Sequence, residues 1–175
     1  PTVTGWKRLR PENDIDAWDW FVDRNQGVGY IRLDKFAEES TREIDAALDH
    51  MRDQGLRALI LDLRFNSGGQ FDRAIEITNR IVPTGTLVST VNSRTERPET
   101  HRATPREALL RDIPVAVLIN SNSASASEIV AGAVKAHARR DNADAIVIGE
   151  RSYGKGTVQN VHGIARQTAA MKVTT

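Results

Sequence analysis

Ser125 and Lys155 are the two side chains whose setting could support covalent chemistry. Ser125 lies in Asn120-Ser-Asn-Ser-Ala-Ser-Ala-Ser-Glu-Ile-Val, a run of small residues that follows the apolar stretch Val115–Ile119. Ile129, Val130, Ala133 and Val134 then recur at helical spacing, so the serines occupy a strand-to-helix junction. The first turn of a helix leaves its N–H groups without partners and slightly positive, which places anion-stabilising donors beside any hydroxyl there. A serine hydroxyl also needs a base before it can act as a nucleophile.

Four histidines are the first candidates for that base. His50 falls in an amphipathic helix and His101 in a polar excursion. His137 lies three turns along the helix that Ser125 opens, roughly 18 Å away at ~1.5 Å per residue. His162 sits in a terminal strand and stays open. The Gly-x-Ser-x-Gly elbow of the α/β-hydrolases is missing. Lys155, in Tyr153-Gly154-Lys155-Gly156, follows the strand-like residues 145–148, and catalytic groups of open α/β sheets gather beyond such strand ends. A lysine accepts a proton near neutral pH only where burial disfavours its charged form. No acid lies closer in sequence than Glu150, so burial is compatible with the local residues. Taken alone, a Gly-Lys-Gly lysine is more often an exposed one, and it lacks the spacing of a phosphate loop. Gln159, four residues on, could hold the amine by its amide or be a plain surface residue.

The elements that must position these groups follow from periodicity. Residues 18–22 and 28–33 are β-rich runs around the turn-forming residues 23–27, which predicts a hairpin. Trp18, Trp20 and Phe21 there could line a groove, though packing on the sheet is the plainer role. Ser40-Thr41-Arg42-Glu43 has capping-box spacing, and Ile44, Ala47, Leu48 and Met51 give a helical stripe that ends at Gly55. Residues 58–63 form an apolar run of the kind covered on both faces. The turn Arg64-Phe-Asn-Ser-Gly-Gly69 leads to a helical pattern from Phe71 to Ile81, and glycines in such a turn let backbone amides approach a ligand. Thr86–Val91 reads as a strand, residues 92–111 as a flap or a solvated excursion, residues 138–144 as a polar linker, and residues 157–161 as a strand. Strands alternating with helices predict an α/β domain with a largely parallel sheet.

Composition bounds the partners. With 39% hydrophobic and 27% charged residues, the chain is globular rather than disordered. Its 24 basic and 23 acidic residues leave a formal charge of +1, which argues against nucleic acid or an anionic membrane as the main partner. The absence of cysteine excludes disulfides, thiol catalysis and thiolate metal sites. No apolar run approaches the ~18–20 residues of a membrane span. Residues 1–5 do not resemble a signal peptide, and the last residues are strand-like. The expectation is an excised piece, with residues 1–17 a linker from a preceding domain, the C-terminus truncated and any targeting segment elsewhere.

Three motifs together resemble the catalytic domain of the C-terminal processing peptidases, or tail-specific proteases. They are Leu61-Asp-Leu-Arg64-x-Asn66-x-Gly68-Gly69, Ser123-Ala-Ser-Ala-Ser-Glu128-Ile129 with Ala131-Gly132-Ala133, and Gly149-Glu150-x-x-Tyr153-Gly-Lys-Gly156-x-Val158-Gln159. The resemblance implies a ClpP/crotonase-like fold: a mostly parallel sheet, covering helices and, in this chain, an N-terminal β-hairpin. It implies Ser125 as nucleophile, Lys155 as general base and Gln159 as orienting amide. The oxyanion hole would be the backbone N–H of Ala126 with that of Gly69, or of Gly68 if the turn is registered differently. It implies no metal or cofactor, polypeptide substrates with accessible C-termini, a PDZ domain in the full-length chain and an extracytoplasmic location in the periplasm or cell envelope. Ser125 and Lys155 stand a few positions further apart than the family leads one to expect, and residues 136–144 look like the insertion. Two rivals remain: a non-catalytic peptide- or hydrophobic-ligand-binding module with a groove beside Trp20 and Tyr30, and a crotonase-type acyl-CoA enzyme.

Overall fold

A computed structural model describes residues 1–11, 14–91, 97–141 and 143–157, with the backbone of 159–164 and 169–174. The chain opens with the short strands Val3–Thr4 (β1), Lys7–Arg8 (β2), Trp18–Asp19 (β3) and Phe21–Asp23 (β4). Val28–Leu33 (β5), Ser40–Asp53 (α1), Ala58–Asp62 (β6) and Phe71–Ile81 (α2) follow. Thr86–Val91 (β7) and Pro98–Arg102 (β8) form a hairpin beside the main sheet. Val115–Ile119 (β9), Ala126–Asp141 (α3), Ala145–Gly149 (β10), Gln159–Ile164 (β11) and Ala169–Thr174 (β12) complete the described chain.

The main sheet runs β1-β5-β6-β9-β10, with β4 also on β5. β5, β6, β9 and β10 are parallel, whereas β1 and β4 pair antiparallel to β5. Parallel register sets Gly29 beside Leu59 and Leu59 beside Val115, so Ile31, Leu33, Leu61 and Val117 share one face. They join one apolar cluster with Leu48 and Met51 of α1, Ile77 of α2 and Val130 and Val134 of α3. On the other face Ile60, Ala116 and Leu118 are half-buried, and Ile146 and Ile148 of the outermost strand are exposed. Among the described residues no helix is long and apolar enough to cross a membrane.

Several local readings change in three dimensions. The hairpin forms, but Trp20 interrupts its first strand, and Trp18–Asp19 pairs with Lys7–Arg8 instead. Trp20 is buried and donates its indole N–H to the Ile15 carbonyl at 2.8 Å. Tyr30 is buried under the edge-on ring of Trp6, so neither aromatic leaves an open groove. The capping box is not made. Ser40 is already inside the helix, where its hydroxyl accepts from Ala37 N–H and donates to Lys35 O. Glu43 instead accepts from the N–H groups of Thr2 and Val3, which ties β1 to α1. Residues 98–102 form a strand without apolar alternation, and α3 runs on to Asp141, past Ala138, where the expected linker should have begun. There the Asp141 carboxylate takes hydrogen bonds from the Thr84 hydroxyl and the Arg140 guanidinium and lies 2.8 Å from His137 Nδ1, which keeps this polar end helical.

Candidate active site

The turns that follow β6, β9 and β10 meet at the carboxyl end of the parallel strands. The first is framed by its own side chains. Buried Asp62 receives the Tyr30 hydroxyl at 2.7 Å, the Arg64 guanidinium at 2.7 Å and the Arg64 N–H at 2.9 Å. Asn66, also buried, donates to Leu33 O and accepts from Gly68 N–H, both at 2.8 Å. Gly68 and Gly69 have positive φ, and a Cβ on Gly69 would lie 2.0 Å from the Phe36 carbonyl oxygen. A Cβ on Gly68 would lie 2.9 Å from the Cβ of Ser125 and 3.0 Å from Ala126 N, so the bare backbone of Gly68 abuts the serine.

Bonds to main-chain carbonyls sew the second turn to the first. Ala124 N–H and the Ser127 hydroxyl donate to Asn66 O at 3.0 and 2.9 Å, and the Ser123 hydroxyl donates to Leu63 O at 2.8 Å. Ser125 itself is half-buried with φ 56°, a left-handed conformation that presents it at the head of α3. Its hydroxyl has no hydrogen-bond partner among the described residues, and neither have the N–H groups of Gly69 and Ala126. The Gly68 N–H, by contrast, is taken by Asn66.

The third turn is held by Glu128. One of its oxygens, Oε2, accepts from Ser125 N–H at 2.8 Å and from Lys155 N–H at 2.9 Å. The backbone nitrogens of the two residues therefore lie within two hydrogen-bond lengths of each other. The other oxygen, Oε1, accepts from the Ser152 hydroxyl at 2.8 Å and from Gly154 N–H at 2.6 Å. Tyr153 N–H adds a bond to Ser123 O at 3.0 Å. Burial alone would raise the Glu128 pKa, but the Ser152 hydroxyl and the N–H groups of Gly154, Ser125 and Lys155 together hold it below the usual carboxylate range. The clamp is thus a charged one.

The structure brings Ser125, Ala126, Gly68, Gly69 and Lys155 into one neighbourhood. The Gln159 side chain lies outside the described residues, as does that of His162. His137 is occupied with Asp141 further along α3, and His101 packs edge-on against Phe71. Two concavities lie at the opposite end of the strands, one lined by Val28, Ala58, Pro114 and Ala145, the other by Ile113, His137 and Asp144. Neither touches Ser125.

Residues 27–175 match the model of peptidase family S41. The chain belongs to this family. It is 41% identical over 136 residues to a carboxyl-terminal-processing protease of Synechocystis sp., which covers 78% of the chain and 30% of that relative. It is 40% identical over 134 residues to carboxyl-terminal-processing peptidase 2, chloroplastic, of Arabidopsis thaliana, covering 77% and 25% respectively. The chain thus spans a third or less of the length of these curated relatives. Among solved structures, the photosystem II D1 C-terminal processing protease superposes with a TM-score of 0.68 at 32% identity, over 84% of the chain and 38% of that structure. The mostly parallel sheet with covering helices and an N-terminal hairpin, the ClpP/crotonase-like arrangement, is therefore the S41 fold.

Two parts of this S41 site escaped the sequence reading. Glu128 was visible only as a letter of the serine-rich motif, three residues after Ser125, and its bonds to residues 152–155 are set by tertiary contact. Asp62 and Arg64 were visible only as letters of a motif, and Tyr30 only as part of a β-rich run and of a rival's groove. Burial by itself would raise the Asp62 pKa, but bonds from Arg64 and Tyr30 outweigh it and hold the carboxyl below its ordinary range. Burial, then Asp62, pushes the Tyr30 phenol up to about 12. Because the folded Asp62 pKa is depressed, its stabilisation is full above the unfolded value of ~3.9 and is lost as pH falls through the folded value. Tyr30 has the opposite sign: its contribution is full below ~10 and is lost as pH rises through the folded value. Asp62→Asn should cost about 2 kcal/mol at neutral pH, less than a fully buried pair because Arg64 is half exposed, and should flatten the acid limb. Urea midpoints measured from about pH 3 to 8 check this; an unchanged acid limb in the variant contradicts it.

Proposed function

We propose that the protein is a serine endopeptidase that cleaves polypeptides near their C-termini through a Ser125 acyl-enzyme. The reading is carried by one observation: a single carboxylate oxygen, Glu128 Oε2, accepts hydrogen bonds from the backbone of both Ser125 and Lys155. In the first step the Ser125 hydroxyl attacks the scissile carbonyl carbon while its proton passes to the Lys155 amine. The oxygen that gains the negative charge is stabilised by the N–H groups of Ala126 and Gly69. Gly69 is preferred to Gly68 because the Gly68 N–H is already engaged by Asn66. One such donor supplies ~2.7–4 kcal/mol of transition-state stabilisation. Collapse expels the amine, which takes the proton back from Lys155, and leaves an ester on Ser125. Water then attacks that ester by the same route, releasing the new carboxyl terminus. Gln159 holds the Lys155 amine towards Ser125.

Both relatives carry C-terminal processing in their names, and the solved D1 enzyme does too. We extend that substrate class, polypeptides with accessible C-termini, to this chain. The resemblance to the tail-specific proteases adds a substrate-binding PDZ domain in the full-length protein and an extracytoplasmic site of action. A panel of peptides identical except at the free C-terminus, analysed by mass spectrometry, tests the reading. Cleavage whose rate varies with that terminus is expected; a panel left intact by the full-length protein overturns it.

A further inference from the structure

Two large rings stand exposed at the end of the sheet that carries Ser125. Phe65 is 63% exposed and Tyr153 is 73% exposed. Phe65 follows β6 and Tyr153 follows β10, the strands on either side of β9. Both backbones are anchored to the turn between β9 and α3. Phe65 N–H donates to Asn120 Oδ1 at 2.9 Å, and Tyr153 N–H donates to Ser123 O at 3.0 Å. Strands pair about 5 Å apart, so the two anchoring points straddle the nucleophile's turn at about 10 Å. Phe65 also has φ 66°, a left-handed conformation that bulky L-residues seldom adopt. A single exposed aromatic is unremarkable. A strained one, paired with a second across the reactive serine, calls for a role.

We infer that Phe65 and Tyr153 form the two walls of the substrate channel and select apolar side chains on either side of the bond presented to Ser125. This inference rests on the peptidase reading for its occupant, an extended polypeptide. A gap of two strand spacings admits one extended backbone lying over Ser125, whose side chains alternate towards the two walls. Each ring turns about only two side-chain torsions on a hydrogen-bonded backbone and so loses little freedom on binding, which suits it to anchor a ligand. Arg64, between Asp62 and Phe65, is committed to the Asp62 carboxylate and offers no competing ionic recognition.

The test separates recognition from chemistry. In protein carrying Ser125→Ala, fluorescence anisotropy measures binding of a dye-labelled peptide with leucine on both sides of its central bond, and of its twin with serine there. The leucine peptide should bind at least about tenfold more tightly. Phe65→Asn tolerates the left-handed backbone, and Tyr153→Ser keeps the main-chain bond to Ser123, so both variants should fold. Each, added to Ser125→Ala, should weaken the leucine peptide about tenfold and leave the serine peptide unchanged. A preference that survives both substitutions, or no preference in the parent, overturns the inference. Turnover is measured separately with Ser125 intact: intact preference without cleavage would sink the peptidase reading and leave the aromatic walls standing.

Discussion

Ser125→Ala is expected to lower kcat on a susceptible peptide by on the order of a millionfold while leaving the thermal midpoint unchanged. The fold should survive because the Ser125 hydroxyl has no partner among the described residues, and the bond from Ser125 N–H to Glu128 is made by backbone. Lys155→Ala should be as damaging to kcat, and it keeps the bond from Lys155 N–H to Glu128, which is made by backbone. The double variant should be no slower than either single one, because groups that act as a unit are not additive in their loss. Stopped assays on purified variants, with circular dichroism to confirm folding, decide the matter. A loss of only about tenfold in either single variant, or full additivity in the double, would show that the two residues do not work as nucleophile and base.

The second large effect concerns Glu128. Removing its carboxylate in Glu128→Ala withdraws the acceptor from Ser125 N–H, Lys155 N–H, Gly154 N–H and the Ser152 hydroxyl together. The loop that carries Lys155 then loses its tie to the head of α3. Misplacement of a catalytic group by about 1 Å costs ~10²-fold, so kcat should fall by about 10²–10³ with little change in KM. Glu128→Gln should fall between, because one amide oxygen can serve the Ser125 and Lys155 pair while its NH₂ faces the Gly154 donor. The sign in pH follows from the depressed Glu128 pKa. The clamp holds above the ordinary carboxylate range and lets go as pH falls through the lowered folded value. Steady-state kinetics of the two variants check this; wild-type kcat in Glu128→Ala would mean that the loop is positioned by something else.

Much of the scaffold could be read from residue order, because its signals are local. The stripe Ile44, Ala47, Leu48, Met51 and the apolar run beginning at Ala58 follow from periodicity, and both elements form where expected. The serine-rich junction and the Gly-Gly turn likewise fall at strand ends. What stayed hidden depends on partners far along the chain. Ser40 and Glu43 carry capping spacing, yet their side chains are claimed by Thr2 and by the loop before the helix. Pro98–Arg102 becomes a strand only because β7 supplies its ladder. Glu128 could not be assigned a task from sequence, since the donors it gathers belong to residues 152–155 as well as to its own helix. Phe65 stood in a variable-looking place within a glycine motif, and nothing in its neighbours foretold a left-handed backbone.

The seams between the three turns join Leu63 to Ser123, Asn66 to Ser127 and Ser123 to Tyr153, across wide separations in the chain. None of these turns holds a reactive arrangement by itself, so a polypeptide still emerging during synthesis would carry the ingredients in a harmless form. On the proposed peptidase reading, cutting ability would switch on only when the last parallel strand docks, a built-in safeguard against acting on the apparatus that makes the chain.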